Sequence, residues 1–398
     1  MTRKGEKSGF AGAGKLHVRL FAGDQGEMET NRGLWDCGGP AARASVASVK
    51  PPMTIRERIE AFWSGERPDQ IPYTIYWNEW RHTSTDPAWL RMYENGLGVT
   101  WYLRSFETRR HDVEVIEESY EEDGKPMRRQ IRRTPIGEIH AIRESGWDKK
   151  FFLETPADYR VMTYVVEHTE VVPCYETYLA TAASLPPWGI AIPELWRTPL
   201  QQILVDFAGL ENFCWHLADY GDEVRRLYGA LLRNFRQVVE IVAHGPGRYL
   251  SNLENFTADT LGPRRYAEFL LPVYEECFPM LHAAGKLIGC HYDGRLASCR
   301  KQIAGAPIDL IESLTPPPEG DLTLAEARAA WPGKLFWSNL NVGCYDLPPA
   351  ELKALVLRRA AEAAPDGRRL AFEVSEQYPA NWRQSMPVVL AALNETRR

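Results

Sequence analysis

The sequence predicts an α/β chain folded as a (β/α)8 TIM barrel, with an antiparallel β-hairpin insertion in its N-terminal half. Three observations predict it. The second half alternates short apolar runs with helical segments five times in succession, which calls for a parallel sheet covered by helices. No glycine-rich phosphate loop follows any of those runs, which disfavours an open doubly wound sheet. Polar and ionisable residues stand where the runs end, and a closed barrel would gather them at one mouth.

Residues 1–52 carry Gly/Ala/Ser-rich runs without a sustained period and end in Pro51-Pro52, so they are expected to form a flexible N-terminal extension, with the barrel over 53–398. Thr54 is placed to cap a helix whose face is Ile55, Ile59 and Phe62. Ile71–Trp77 reads as a buried strand. Residues 113–142 read as antiparallel structure, with Asp123-Gly124 as a hairpin turn. Helical periodicity dominates over 156–183 and 197–244. Strands are then expected at 249–253, 286–291, 308–312, 334–339 and 369–374, each followed by a helix.

Composition narrows the function classes. The net charge of −6 argues against a nucleic-acid binder. No window approaches the roughly 18 uninterrupted apolar residues of a membrane span. The seven cysteines are scattered and form no Cys-x-x-Cys pair, which points to a reducing, cytoplasmic setting. Thirteen tryptophans must fill a core or line a pocket for a flat or apolar ligand.

The expected strand ends carry Trp77, Asn78 and Glu79; Glu254 and Asn255; His291, Tyr292 and Asp293; Glu312; Asn339 and Asn341; and Ser375 and Glu376. His291 and Asp293 alternate onto one strand face. An imidazole and a carboxylate so placed can bind a metal, act as an oriented acid/base pair, or simply tie strand to loop. Cys290 points the other way, into the helix layer.

Several blocks resemble the uroporphyrinogen decarboxylase superfamily, over roughly residues 53–394. They are Arg56–Ala61 with Gly65–Pro72, Arg265–Pro272, His282–Lys286, and His291-Tyr292-Asp293-Gly294. The resemblance implies a (β/α)8 barrel and either decarboxylation or corrinoid-dependent methyl transfer. Two departures bear on the choice. Where the decarboxylases carry an Arg-Gln-Ala-Gly-Arg-Tyr segment that grips substrate carboxylates, this chain has Tyr76-Trp77-Asn78-Glu79-Trp80-Arg81. Where the thiol-directed methyltransferases hold zinc with His-x-Cys and a distant cysteine, it has His291-x-Asp293 and Val374–Pro379. Zinc accepts histidine with carboxylates, so a metal site built on oxygen ligands is retained and a thiolate site is not.

The leading expectation is therefore a methyltransferase acting on a small methoxylated or methylated substrate. His291, Asp293 and Glu376 would hold zinc or a similar divalent ion as Lewis acid. Glu254, Asn255 and Glu312 would be catalytic, and Trp77, Asn78, Tyr292, Trp337 and Asn339 would contact substrate. No Asp-x-His-x-x-Gly anchoring motif occurs, so the corrinoid would be carried by a partner protein. A homo-oligomer is compatible with the chain. The alternative is a cofactor-free decarboxylase on a non-porphyrin substrate, with His291 or Asp293 as proton donor. A non-catalytic binding barrel is a third class.

Overall fold

A computed structural model describes residues 52–78, 85–374 and 377–396. The 1–52 extension therefore lies, but for Pro52, outside the described residues. β1 (Tyr73–Tyr76) and β2 (Leu97–Leu103) open a barrel. Six strands then leave it: β3 (Phe106–Arg110), β4 (Glu114–Glu122), β5 (Lys125–Thr134), β6 (Gly137–Glu144), β7 (Trp147–Lys150) and β8 (Thr169–Pro173). The chain returns through β9 (Gly189–Leu195), β10 (Tyr249–Phe256), β11 (Leu287–Tyr292), β12 (Leu310–Leu314), β13 (Leu335–Leu340) and β14 (Leu370–Val374). The eight barrel strands run parallel and close in the order β1-β14-β13-β12-β11-β10-β9-β2.

The insertion is larger than a hairpin. β4–β7 form a four-stranded antiparallel meander, and β3 pairs antiparallel with β8. The β4–β5 turn falls at Asp123-Gly124, both with positive φ (52° and 73°), as a tight hairpin requires. Ser145-Gly146 repeats that chemistry between β6 and β7.

Helical periodicity over-reads two stretches. Helix Pro156–Glu167 ends at His168, and Thr169–Pro173 pairs with β3 as a strand before helix Tyr175–Ala183 begins. The 197–244 stretch is broken at Gly209 and Tyr220 into successive helical segments. At Gly209, φ is 73° and a Cβ would lie 2.4 Å from the Phe151 ring, so glycine is required there. β2 and β9 also complete the barrel at positions where sequence periodicity left no strand.

Helix Ile55–Trp63 closes the N-terminal end of the barrel. Thr54 and Glu57 form a reciprocal capping box at its start. Ile59, Phe62 and Trp63 then pack with inward-facing Ile190, Ile192, Leu310, Leu335, Trp337 and Ala371. The alternating residues of β13 and β14, Phe336, Leu340, Phe372 and Val374, face the outer helix layer instead. The interior is thus apolar at its floor, which leaves the opposite, C-terminal end for polar groups. Among the described residues no helix is long and apolar enough to cross a membrane.

Candidate active site

Three strands bring ionisable side chains to the C-terminal mouth. On β11, Gly289 and His291 point inward: a Cβ at Gly289 would meet Leu310 and Trp63 side chains at 2.8 and 2.9 Å. His291 stands in register beside Glu312 of β12. Its Nε2 lies 3.8 Å from Asp293 Oδ2 and its Nδ1 lies 3.9 Å from Glu312 Oε2. Burial opposes a charge on His291, but the Asp293 and Glu312 carboxylates outweigh it and hold the imidazole pKa above its ordinary value.

Glu312 is almost wholly buried and accepts two hydroxyls. Tyr102 donates to Oε1, and Ser251 Oγ donates to Oε2 at 3.0 Å. Beyond it, Glu373 of β14 accepts from Ser313, whose N–H and Oγ donate to Oε1 at 3.1 and 3.2 Å. The local backbone explains this contact. Ser313 has φ of 57°, and the β12–β13 register shifts between Glu312 and Leu314, so its N–H turns out of the ladder toward Glu373. Glu373 Oε2 is buried without a hydrogen-bond partner among the described residues. Burial, then the charge of Glu312, push its carboxyl well above the usual carboxylate range, against the Ser313 donations.

Tyr76 and Tyr102 complete the wall, with ring centroids 5.9 Å apart. Burial and the neighbouring carboxylates raise both phenols, so they remain donors. Tyr76 Oη lies 3.3 Å from Ser313 Oγ. Asn339 is in register with Glu373, and its Nδ2 donates to Thr315 Oγ1 at 3.1 Å. The site is a connected set of carboxylates, hydroxyls and one imidazole, able to hold and move protons at an otherwise apolar barrel mouth.

Several expected site residues lie elsewhere. Tyr292 points outward, where its hydroxyl bonds Tyr266 (2.9 Å) and Tyr274 (3.0 Å) in the helix layer, so it is no pocket wall. Trp337 does point inward, but it belongs to the barrel floor, packed on Phe62 (5.5 Å) with its Nε1 donating to Thr74 Oγ1. Glu254 is buried between strand and helices, accepting from Thr198 N–H (3.1 Å), Thr198 Oγ1 (3.0 Å) and Tyr274 Oη (2.7 Å). Its burial, against those donations, raises its pKa to about 7. Asn255 sits on the rim with φ of 51° and accepts from Arg197 at 2.9 Å. Trp77 is half-buried and Asn78 exposed, just past β1.

Glu376, the expected third metal ligand, lies outside the described residues, as does Glu79. Among the described residues no group of three or more His, Cys, Asp or Glu side chains is arranged to hold a metal ion. Asp293 and Glu312 approach different ring nitrogens of His291, so they do not share one point with it. His291 and Asp293 do offer one nitrogen and one carboxylate oxygen on the same side, which suits two of the ligands of a divalent ion.

Glu373, Tyr76, Tyr102, Ser251 and Ser313 were not singled out by sequence. The available signal was a carboxylate within the otherwise apolar run Leu370–Val374, since a charged residue inside a buried parallel strand needs a reason.

No family model matches the chain, and no curated protein matches it. Among solved structures it is similar to a methyltransferase from Methanosarcina mazei, with a TM-score of 0.51 and 11% identity over 86% of this chain and 99% of that one. At that identity the likeness is one of fold: both are barrels of this architecture.

Proposed function

We propose that this chain is a methyltransferase of the uroporphyrinogen decarboxylase-like type, moving a methyl group from a small methoxylated or methylated substrate to a corrinoid on a partner protein. The observation that carries the reading is the ionisable cluster at the barrel mouth, His291 in register with Glu312 and the buried Glu373 carboxyl, raised above the usual carboxylate range, beside it. The fold likeness to a methyltransferase supports it by analogy.

As its methyl group departs, the substrate heteroatom must gain a proton. His291 Nε2 and the Asp293 carboxylate stand at the open side of the cluster to deliver it. Glu312 faces the imidazole on its Nδ1 side at 3.9 Å as a charge, not as a hydrogen-bond partner, and Tyr102 and Ser251 fix Glu312. Burial and the charge of Glu312 favour the protonated form of Glu373. A divalent ion, zinc or similar, would be an alternative use of the same atoms: with His291, Asp293 and Glu376 as ligands, Nε2 would no longer be the proton donor, and the ion would polarise the heteroatom as a Lewis acid.

The raised carboxyl of Glu373 also favours a second reading, a decarboxylase on a non-porphyrin substrate. Loss of CO2 leaves a carbanion that takes one proton, and a buried carboxylic acid is a suited donor. One assay separates the two. The protein is incubated with reduced cobalamin and a panel of methoxylated aromatics and methylated thiols or amines, following methylcobalamin by absorbance. CO2 release from the corresponding carboxylic acids is followed in parallel. Substrate-dependent methylcobalamin lost in Glu312→Gln supports methyl transfer; CO2 release without it overturns that reading.

A further inference from the structure

A second site lies between the rim of β9 and the inserted sheets. A cavity of about 310 Å³ is lined there by Arg104, Arg110, Arg132 and Arg197, against only two carboxylates, Glu194 and Asp206. Both carboxylates are already engaged: Arg104 bonds Glu194 at 3.0 Å, and Arg197 bonds Asp206 at 3.0 Å. Arg110 and Arg132 have no carboxylate within ion-pair distance among the described residues.

Arg132 is the more telling of the two. Its guanidinium lies over the Phe152 ring at 4.4 Å and the Phe207 ring at 5.3 Å, and Nη1 reaches the Met162 sulfur at 2.9 Å. Those aromatic faces attract a cation but do not satisfy a planar fork of five N–H donors. Burial lowers its pKa to about 10, helped by the charge of Arg110 and opposed by Asp206. Arg197 adds a buried Nε with no partner. The π-helical stretch Gln202–Ala208 turns Gln202, Asp206 and Phe207 onto the same cavity, an irregularity frequent at binding sites. Arg110 is exposed at the edge of the cavity and Arg132 half-buried within it, so a small anion entering there would meet one solvated guanidinium and one that burial has stripped of much of its water.

We infer that this cavity binds the anionic group of a small molecule, a carboxylate or a phosphate, with Arg132 and Arg110 as its principal partners. Guanidinium forks match both groups by paired N–H···O bonds. The inference does not rest on methyl transfer, because it is read by binding alone.

The test is thermal-shift and calorimetric titration of the full chain with inorganic phosphate and, separately, with benzoate. Saturable binding by at least one of them is expected, with affinity in the roughly millimolar range or tighter. Phosphate alone, benzoate alone or both would identify the anion as phosphate, carboxylate or either. Arg132→Met should weaken that binding by about tenfold to a hundredfold, as loss of a charge-assisted hydrogen bond predicts, while leaving the ligand-free melting temperature unchanged or higher. Arg110→Gln should also weaken it, and serves if Arg132→Met does not fold. Arg358→Met, on an exposed helix face next to Glu362, should bind as the parent does. Absence of binding by both anions overturns the inference. So does an Arg132→Met or Arg110→Gln protein that binds as the parent does.

Discussion

His291 Nδ1 stands 3.9 Å from Glu312 Oε2, on the adjacent strand and in register with it. The imidazole is therefore placed by β-sheet geometry rather than by a loop. Glu312 is in turn fixed by Tyr102 from β2 and Ser251 from β10, so three barrel strands position the carboxylate that faces the imidazole. Such support from neighbouring groups keeps an acid/base residue in its working geometry.

Tyr102→Phe removes one of the two hydroxyls on Glu312. The proposed methyl transfer is expected to fall by about tenfold to a hundredfold, with stability lowered by about 1–3 kcal/mol because a buried carboxylate oxygen loses its donor. Steady-state rates and a denaturant titration of the same preparation measure both.

Glu373→Gln tests the raised carboxyl. The folded carboxyl binds its proton above the ordinary value of 4.5, so the folded state holds more protons than the unfolded one over the interval above it. Its contribution to stability is complete below about pH 4.5 and is lost as pH rises through the folded pKa. The parent melting temperature should fall on going from mildly acid to alkaline pH more steeply than that of Glu373→Gln. Equal slopes would show that Glu373 is not held neutral.

Glu254 follows the same sign over a narrower window. Its pKa rises from 4.5 to about 7, so stability should decline between those values by roughly 3 kcal/mol. Glu254→Gln is expected to flatten that decline and to retain activity, because the side chain sits with Thr198 and Tyr274 outside the barrel interior. Loss of turnover at unchanged stability would return Glu254 to the site.

Trp337→Ala should destabilise the chain by about 3–5 kcal/mol, since it empties the floor on which Phe62 and Trp63 pack. Trp337→Phe should keep most of the stability and leave KM unchanged. A rise in KM with Trp337→Phe would mean that the indole reaches substrate.

Metal content is the direct test of His291, Asp293 and Glu376. The reading with a Lewis acid expects stoichiometric divalent metal in the purified protein by elemental analysis, and its loss in His291→Ala and Asp293→Ala. Retention of metal in both variants would remove these residues as ligands.

The sequence by itself determined the barrel, the hairpin turn at Asp123-Gly124 and the cap at Thr54, because periodicity, turn chemistry and capping are local signals. It also led to the expectation that His291 and Asp293 lie together; they approach to 3.8 Å, although β11 ends at Tyr292 and Asp293 follows the strand. It did not determine which face looks inward. Parallel barrel strands are apolar on both sides, so alternation alone cannot separate interior from helix layer. That is why Tyr292 and Glu254 belong to the outer layer and Trp337 to the floor. Strands β2 and β9 went unread for the same reason. The partnership of Glu312 with Tyr102, and of Glu373 with Ser313, depends on barrel closure and on the register shift after Glu312. The residues in each pair are distant in the chain, and only the closed tertiary fold puts them within hydrogen-bonding reach.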